Sequence, residues 1–304
     1  LPELPEVETM VRGIRAHVTH RPIGDLVACA NRCKPINIKP TLARLRKRVV
    51  GKTFQAVRRL GKRVILDLSD GSSLAIEPRM TGLVLLADPP DVEHLRLRWD
   101  FDGPGQYASF WFWDRRGLGT VTLFDQAALK ARFALGTFGR DALEMTADHW
   151  VESCHKSARE IKVLLLDQKT VAGIGNLYAS EILHRAGIHP GVPAKSLTPD
   201  ALERLTQSVQ FVLNKAIEYE GSTLGDGTYR NALNQSGRYQ NEHRVYMRAG
   251  EMCSVCGDEE IVRIVQAQRS TFYCPMCQPE SKGSGRKSGS DRRGFKPSNR
   301  KTGR

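Results

Sequence analysis

No stretch of the 304-residue chain holds 18 uncharged apolar residues in a row, the length that a membrane-crossing helix needs. Its opening residues lack the basic-then-apolar order of a secretory leader, because Glu3, Glu6 and Glu8 stand where the apolar run would fall. Both absences argue against the membrane and secreted classes and for a cytoplasmic protein. The seven cysteines are odd in number and unevenly spread, unlike a secreted disulfide framework. There is no internal repeat. At 40% hydrophobic and 26% charged, the composition excludes a wholly disordered, collagenous or coiled-coil chain. An ordinary globular protein remains, of one large domain or two modest ones, with enough apolar residues for a sizeable core.

Positive charge is what the chain has in excess. Its 46 Lys and Arg against 33 Asp and Glu leave +13, which invites a polyanionic partner. The excess is unevenly placed. Pro279 to Arg304 carry nine Lys/Arg, two acids, one aromatic and no aliphatic side chain, so they read as a disordered basic tail of net +7. The first 278 residues keep +6.

Four of the cysteines form two knuckles, Cys253-Ser-Val-Cys256 and Cys274-Pro-Met-Cys277, separated by 17 residues. Each knuckle can set two thiolates on adjacent corners of a tetrahedron, and a β-hairpin between them would bring the pairs together. That is the pattern of one four-thiolate zinc site. Cys29, Cys33 and Cys154 have no such partners in sequence and read as small buried or surface residues.

Apolar residues at Val7, Met10, Val11, Ile14 and Val18 predict an amphipathic helix over 3–18, opened by Pro5. From about Val49 to Phe124 short apolar runs alternate with Asp70-Gly71, Asp88-Pro89-Pro90, Asp102-Gly103 and Arg116-Gly117. That punctuation predicts a β-sandwich. After Gly139 the pattern turns helical, around 141–154, 159–166, 175–186 and 199–220, the last opened by Thr198-Pro199. The order is thus a β half, a helical half, a zinc hairpin and a tail.

The opening residues Pro2-Glu3-Leu4-Pro5-Glu6-Val7-Glu8-Thr9 resemble the N-terminal signature of the formamidopyrimidine-DNA glycosylases, which remove oxidised purines from DNA. Further matches follow in the family's order over residues 2 to 278: Leu60-Gly61-Lys62-Arg63, Met80-Thr81-Gly82, Asp114 to Gly119, Gly173-Ile174-Gly175-Asn176 through Glu181, and Gln268 to Tyr273. The resemblance implies an α+β multidomain fold. Its parts would be an N-terminal catalytic β-sandwich with flanking helices (1–135), a helix-two-turn-helix DNA-binding domain (136–246), a zinc finger (247–278) and the tail (279–304). It also implies a monomer acting on double-stranded DNA that contains oxidised bases or abasic sites.

Chemistry gives a reason for the proline. An amine that attacks C1′ of a damaged nucleotide must be unprotonated, and an α-amino group with a pKa about 8 is roughly 10% free at pH 7, against roughly 0.04% for a lysine. A secondary amine also yields a permanently cationic iminium, which acidifies the neighbouring C2′ proton and so opens the way to β- and then δ-elimination. Pro2 must then be the mature first residue. We read Leu1 as the literal translation of a non-ATG start codon, decoded as the initiator methionine and removed.

By resemblance, Glu3 is the acid-base residue and Glu6 a supporting carboxylate of the same pocket. Lys62 contacts phosphate beside the lesion and donates a proton in β-elimination; Arg269 does the same for δ-elimination. Taken alone, Glu3 is an ordinary first-turn carboxylate, and Lys62, with Arg58, Arg59 and Arg63, a solvated charged face. Met80, Arg116 and Leu118 fall where the family has the wedge that replaces an extruded nucleotide. Leu118 stands where phenylalanine is usual, Gly117 where a basic residue is common, and Glu77-Pro78-Arg79 where His-Leu-Gly is common. The resemblance further implies that Asn176 is a phosphate contact at a helix N-terminus, Lys162 a further DNA-facing lysine, and Tyr239 part of the family's lesion-capping stretch, here Gly225 to Asn241.

Two rival readings stay open. One is the sister class resembling endonuclease VIII, which takes oxidised pyrimidines by the same chemistry; Leu4, where that class has glycine, argues against it. The other is a zinc-containing DNA-binding protein that has lost catalysis, a reading kept alive by the departures at Glu77 to Arg79, Gly117 and Leu118.

Overall fold

The computed structural model describes residues 2–29, 33–225 and 227–280. Leu1 and residues 281–304 lie outside the described residues, and so do the expectations of a start-codon residue and a disordered tail. Helix α1 spans Leu4–Val18, with Pro5 in its first turn where a missing N–H costs nothing. Val7, Met10, Val11, Ile14 and Val18 are fully buried, as the period predicted.

Two sheets share one core. The first has the order β1 (Ile23–Ala28), β7 (Leu95–Phe101), β8 (Ser109–Asp114), β6 (Gly82–Leu85); the second has β2 (Asn37–Lys39), β9 (Thr120–Phe124), β5 (Ser73–Glu77), β4 (Arg63–Leu68), β3 (Phe54–Leu60). Strand alternation sorts the second sheet. Val64, Leu66, Leu74, Ile76, Val121 and Leu123 face the core, whereas Arg63, Glu77, Thr120 and Thr122 line its outer side. Two short helices flank this half, α2 (Leu42–Val49) and α3 (Gln126–Arg132).

The helical half contains α4 (Ala147–His155), α5 (Ile161–Leu166), α6 (Asn176–Ala186) and α7 (Pro199–Glu218), which pack around Trp150, Tyr178 and Leu205. The Thr198 hydroxyl caps α7 by accepting from Ala201 N. Two short parallel strands, β10 (Arg140–Asp141) and β11 (Val171–Ala172), pair within this half, and a hairpin, β12 (Val262–Gln266) and β13 (Arg269–Tyr273), follows. Leu4 belongs to the helical core while Val7, one turn on, belongs to the sandwich core. The first turn of α1 is thereby held by both halves, and Leu4 N donates to Gly173 O at 3.0 Å. Among the described residues, no helix is long and apolar enough to cross a membrane.

His243 is buried and pairs with Ser222 Oγ at 3.0 Å. Burial, with Arg248 adding to it, lowers its pKa to about 4. An unfolded histidine titrates near 6.5, so as pH falls the unfolded chain takes up the proton first. Stability present above pH 6.5 is lost down to pH 4, amounting to about 3 kcal/mol from this group. Urea unfolding from pH 7 to 4 should show a shallower fall in His243→Asn than in wild type; parallel curves would show that His243 contributes nothing to the acid limb.

Candidate active site

The chain's start is built into the junction of the two halves. Pro2 is buried in the wall of a cleft of about 550 Å³, which Glu3, Lys62, Met80, Leu118, Asn176 and Arg269 also line. The Glu3 carboxylate accepts from Gly175 N at 2.6 Å and from Leu177 N at 3.1 Å, so it sits on the N-terminus of α6, where the helix dipole favours an anion. This approach is why residue 175 is glycine: a Cβ there would lie 2.3 Å from the Glu3 carboxyl carbon. The turn before it is held by Gln168, which accepts from Gly173 N and donates to Ile174 O.

Glu6 lies beneath Pro2 and Glu3 rather than in the cleft lining. Its carboxylate accepts from Glu3 N at 2.9 Å, the Tyr178 hydroxyl at 2.6 Å and Ser222 N at 2.9 Å. Burial raises its pKa against the opposing Tyr178 hydrogen bond, and the Glu3 charge adds to the rise. Glu6 therefore fixes the backbone of the residue next to Pro2.

Lys62 occupies the two-residue turn between β3 and β4, after Gly61 at φ +57°. Its basic neighbours are engaged: Arg58 with Asp67, Arg59 with Glu8 and Asp141, Arg63 with Glu77. Lys62 alone of the four has no carboxylate within ion-pair distance among the described residues, and it points into the cleft. Burial pushes its ammonium below the usual lysine range; Glu3 opposes this and Arg269 reinforces it. Arg269 enters from the opposite side, exposed at the start of β13.

The loops that carry Met80, Arg116 and Leu118 are fastened to each other. Thr81 Oγ1 donates to Asp114 Oδ1 at 2.5 Å, and Arg116 N donates to Thr81 Oγ1 at 3.0 Å. Asp114 is fully buried and accepts from Gly119 N as well. Leu118 is exposed for an apolar side chain, and Met80 half-buried. Gly117 adopts φ +62°, and a Cβ there would lie 2.5 Å from Lys34 O, so the tightness of this turn accounts for the absent basic side chain.

Two sequence expectations do not fit the structure. Lys162 does not face DNA: it is fully buried and donates to Asn176 Oδ1 (2.8 Å), Ser270 O (3.0 Å) and Thr271 Oγ1 (2.6 Å), with burial lowering its pKa to about 8. It fastens the β12–β13 hairpin to the start of α6. Tyr239 lies away from the cleft lining. It is 3% exposed, and its ring packs against Tyr178 and His243 in the helical core. Among the described residues of 225–241, none lines the cleft; the stretch folds back instead, with Ala232 O accepting from Leu86 N at 2.8 Å. The α6 N–H groups expected to meet a phosphate include two that are taken by Glu3. The Asn176 amide is shared between Lys162 and Ser270 O.

The structure adds residues that sequence reasoning missed. Tyr246 is half-buried beside Glu3 and Asn176: burial and the Glu3 charge raise its pKa, and a hydrogen bond with Asn176 opposes them. Glu181 accepts from the backbone N–H groups of Arg244, Val245 and Tyr246, at 3.0, 3.0 and 2.8 Å, and so sets the approach to the zinc hairpin. The run Asn176 to Glu181 had marked its importance without its role.

The four knuckle cysteines converge, with Sγ–Sγ distances of 3.8 Å (Cys253–Cys277) and 3.6 Å (Cys256–Cys274). A tetrahedron with zinc–sulfur bonds of about 2.3 Å has edges of about 3.8 Å. The donor set thus fits one structural zinc with no open position. Gln278 locks the knuckle to the segment just after α6, donating to Ile188 O and accepting from Cys274 N. Lys162→Met would remove one of the two donors to the carbonyl of Ser270 next to Arg269, together with the bond to Thr271 Oγ1. Excision should then fall about ten- to a hundredfold with zinc content unchanged, since a misplacement on the order of 1 Å has that cost. Excision at the wild-type rate would remove Lys162 from the support of the site.

A sandwich and a helical body meeting at Pro2, with a four-cysteine hairpin beside the cleft, define a two-bodied protein with a C-terminal zinc finger. Family models match in the same order: "Formamidopyrimidine-DNA glycosylase N-terminal domain" over residues 1–121, "Formamidopyrimidine-DNA glycosylase H2TH domain" over 138–227, and "Zinc finger found in FPG and IleRS" over 250–279. The formamidopyrimidine-DNA glycosylases of Chloroflexus aggregans and Chloroflexus aurantiacus are 39% and 37% identical to it, each match covering 91% of this chain and 98% of the relative. Among solved structures, a complex of the Lactococcus lactis enzyme with abasic-site DNA matches at 33% identity and a TM-score of 0.80, over 91% of this chain and all of that one. A complex of that enzyme with Fapy-dG DNA matches at 0.79, with the same identity and coverage. The chain belongs to the formamidopyrimidine-DNA glycosylase family.

Proposed function

We propose that the protein is a monomeric, cytoplasmic DNA glycosylase and AP lyase of base-excision repair, which excises 8-oxoguanine and formamidopyrimidines from duplex DNA. The observation that carries this reading is the meeting of Pro2, Glu3, Lys62 and Arg269 around one cleft. The Pro2 nitrogen attacks C1′, the bond to the base breaks, and the base leaves with a proton. The nitrogen then loses its own proton while the C1′–O4′ bond breaks and O4′ takes a proton from Glu3, which opens the sugar ring and leaves the iminium. The resulting iminium acidifies C2′–H; loss of that proton expels the 3′ phosphate, and a second elimination expels the 5′ phosphate. Glu3 handles protons at the sugar, while Lys62 and Arg269 meet the two phosphates and supply protons to the leaving oxygens. Met80, Arg116 and Leu118 fill the vacated stack, and Asn176 lies at the strand's edge. The relatives' substrates support the purine class, the Lactococcus lactis complexes containing abasic-site and Fapy-dG DNA.

Borohydride trapping on duplexes with 8-oxoguanine or thymine glycol tests this. A covalent adduct forming faster on 8-oxoguanine is expected. A preference for thymine glycol would move the protein to the pyrimidine class, and no adduct from protein whose first residue is Pro2 would leave a binding module.

A further inference from the structure

Beside the cleft lies a second cavity, of about 340 Å³, on the outer side of the five-stranded sheet. Strand register builds it. Lys39 on β2 pairs with Thr122 on β9, which pairs with Ala75 on β5, and one step along Asn37, Thr120 and Glu77 form the next row. Arg63 from β4 and Arg132 from the end of α3 complete the walls with Phe133. Glu77 and Arg79 line this cavity and the cleft alike, so the two are adjacent.

The charge in it is lopsided. Lys39, Arg63, Arg79 and Arg132 face a single carboxylate, Glu77, whose Oε1 takes both Arg63 (3.1 Å) and Arg79 (3.2 Å). Neither Lys39 nor Arg132 has a carboxylate within ion-pair distance among the described residues. Arg63 and Arg132 both stand over Phe133, their guanidinium carbons 5.2 and 5.8 Å from its centroid, which holds two like charges close together. Arg79 has φ +57°, a left-handed conformation that glycine adopts freely and that costs an arginine about 1 kcal/mol. This is the position where the family commonly has glycine. A strained, half-exposed arginine and three further cations around hydroxyls are the chemistry of an anion site.

We propose that this pocket is a phosphate subsite: it takes a phosphodiester of the DNA strand running out of the cleft, with Arg79 and Arg132 meeting the oxygens. The proposal rests on the reading of the cleft as the DNA site, and it extends the footprint to Arg79 and Arg132. Glu77 then acts as the counter-ion that keeps Arg63 and Arg79 aligned until the strand arrives.

Arg79→Gly with Arg132→Ala tests it, since glycine suits the backbone at 79 and Arg132 ends an exposed helix turn. Binding to a duplex with a tetrahydrofuran abasic analogue is measured over a range of salt concentrations. One lost phosphate lowers the slope of log K against log salt by about 0.9 and weakens low-salt binding about tenfold. The deficit should vanish on duplexes shortened on one side of the lesion and persist on duplexes shortened on the other. A slope equal to that of wild type, or a deficit insensitive to either shortening as for a captured free phosphate, would overturn the subsite. Should wild type fail to bind the duplex at all, the DNA reading of the cleft itself would fall.

Discussion

A chain that keeps any residue joined to the Pro2 nitrogen should excise 8-oxoguanine more than about a thousandfold more slowly than one that begins at Pro2. An amide nitrogen has no basic lone pair, so neither the attack at C1′ nor the iminium is open to it. Among the described residues that line the cleft, the other amine is that of Lys62. Lys162 is enclosed by three acceptors, and Lys62 is held in the hairpin turn across the cleft. Binding to a tetrahydrofuran duplex should survive within a few-fold, because the phosphate contacts are separate from the nucleophile. Mass spectrometry of the N-terminus, followed by single-turnover excision of each form, checks the prediction. Equal rates would show that another group opens the glycosidic bond.

Removing zinc should have the second-largest effect. The hairpin has little core of its own: Val245, Cys253, Ile261, Phe272 and Cys274 form its whole buried cluster. A knuckle this small depends on metal binding for its folding free energy, which amounts to about 10–16 kcal/mol in zinc-finger peptides. Without it Arg269 leaves the cleft, and Lys162 and the Asn176 amide lose Ser270 and Thr271. We expect chelation or Cys274→Ser to cut excision by more than about a hundredfold, with one zinc released per chain and activity restored to the chelated wild type on adding zinc back. A metal-free protein that excises normally would show that the hairpin holds its place unaided.

The features that sequence made legible share a local cause. Helix α1 and the α7 start follow from apolar spacing and from caps within a few residues, and the zinc cluster from two short spacings. The strands of the sandwich core, β4, β5, β8 and β9, were visible because their apolar residues run together. What stayed hidden depends on distant partners. Helix α2 reads LARLRKRV, whose basic residues mask the two buried positions Leu45 and Val49. Lys162 was read as a surface lysine because nothing near it in sequence shows that Ser270 and Thr271 enclose it. Tyr239 looked like a capping residue for the same reason, its neighbours Tyr178 and His243 being supplied by the fold. The importance of Gly175 was legible as a motif. Its cause, the Glu3 carboxylate against its Cα, was not.

The position of Leu4 in one core and Val7 in the other has a further consequence. Pro2 reaches its place only when the sandwich, the helical body and the turn at Gly173 have all formed, since each holds one part of the same helical turn. A clipped or half-folded chain has the same residue but lacks the contacts that set it beside Glu3 and Lys62. The place of Pro2 is in this way a report on the whole body: both cores and the Gly173 turn must form before it stands in the cleft.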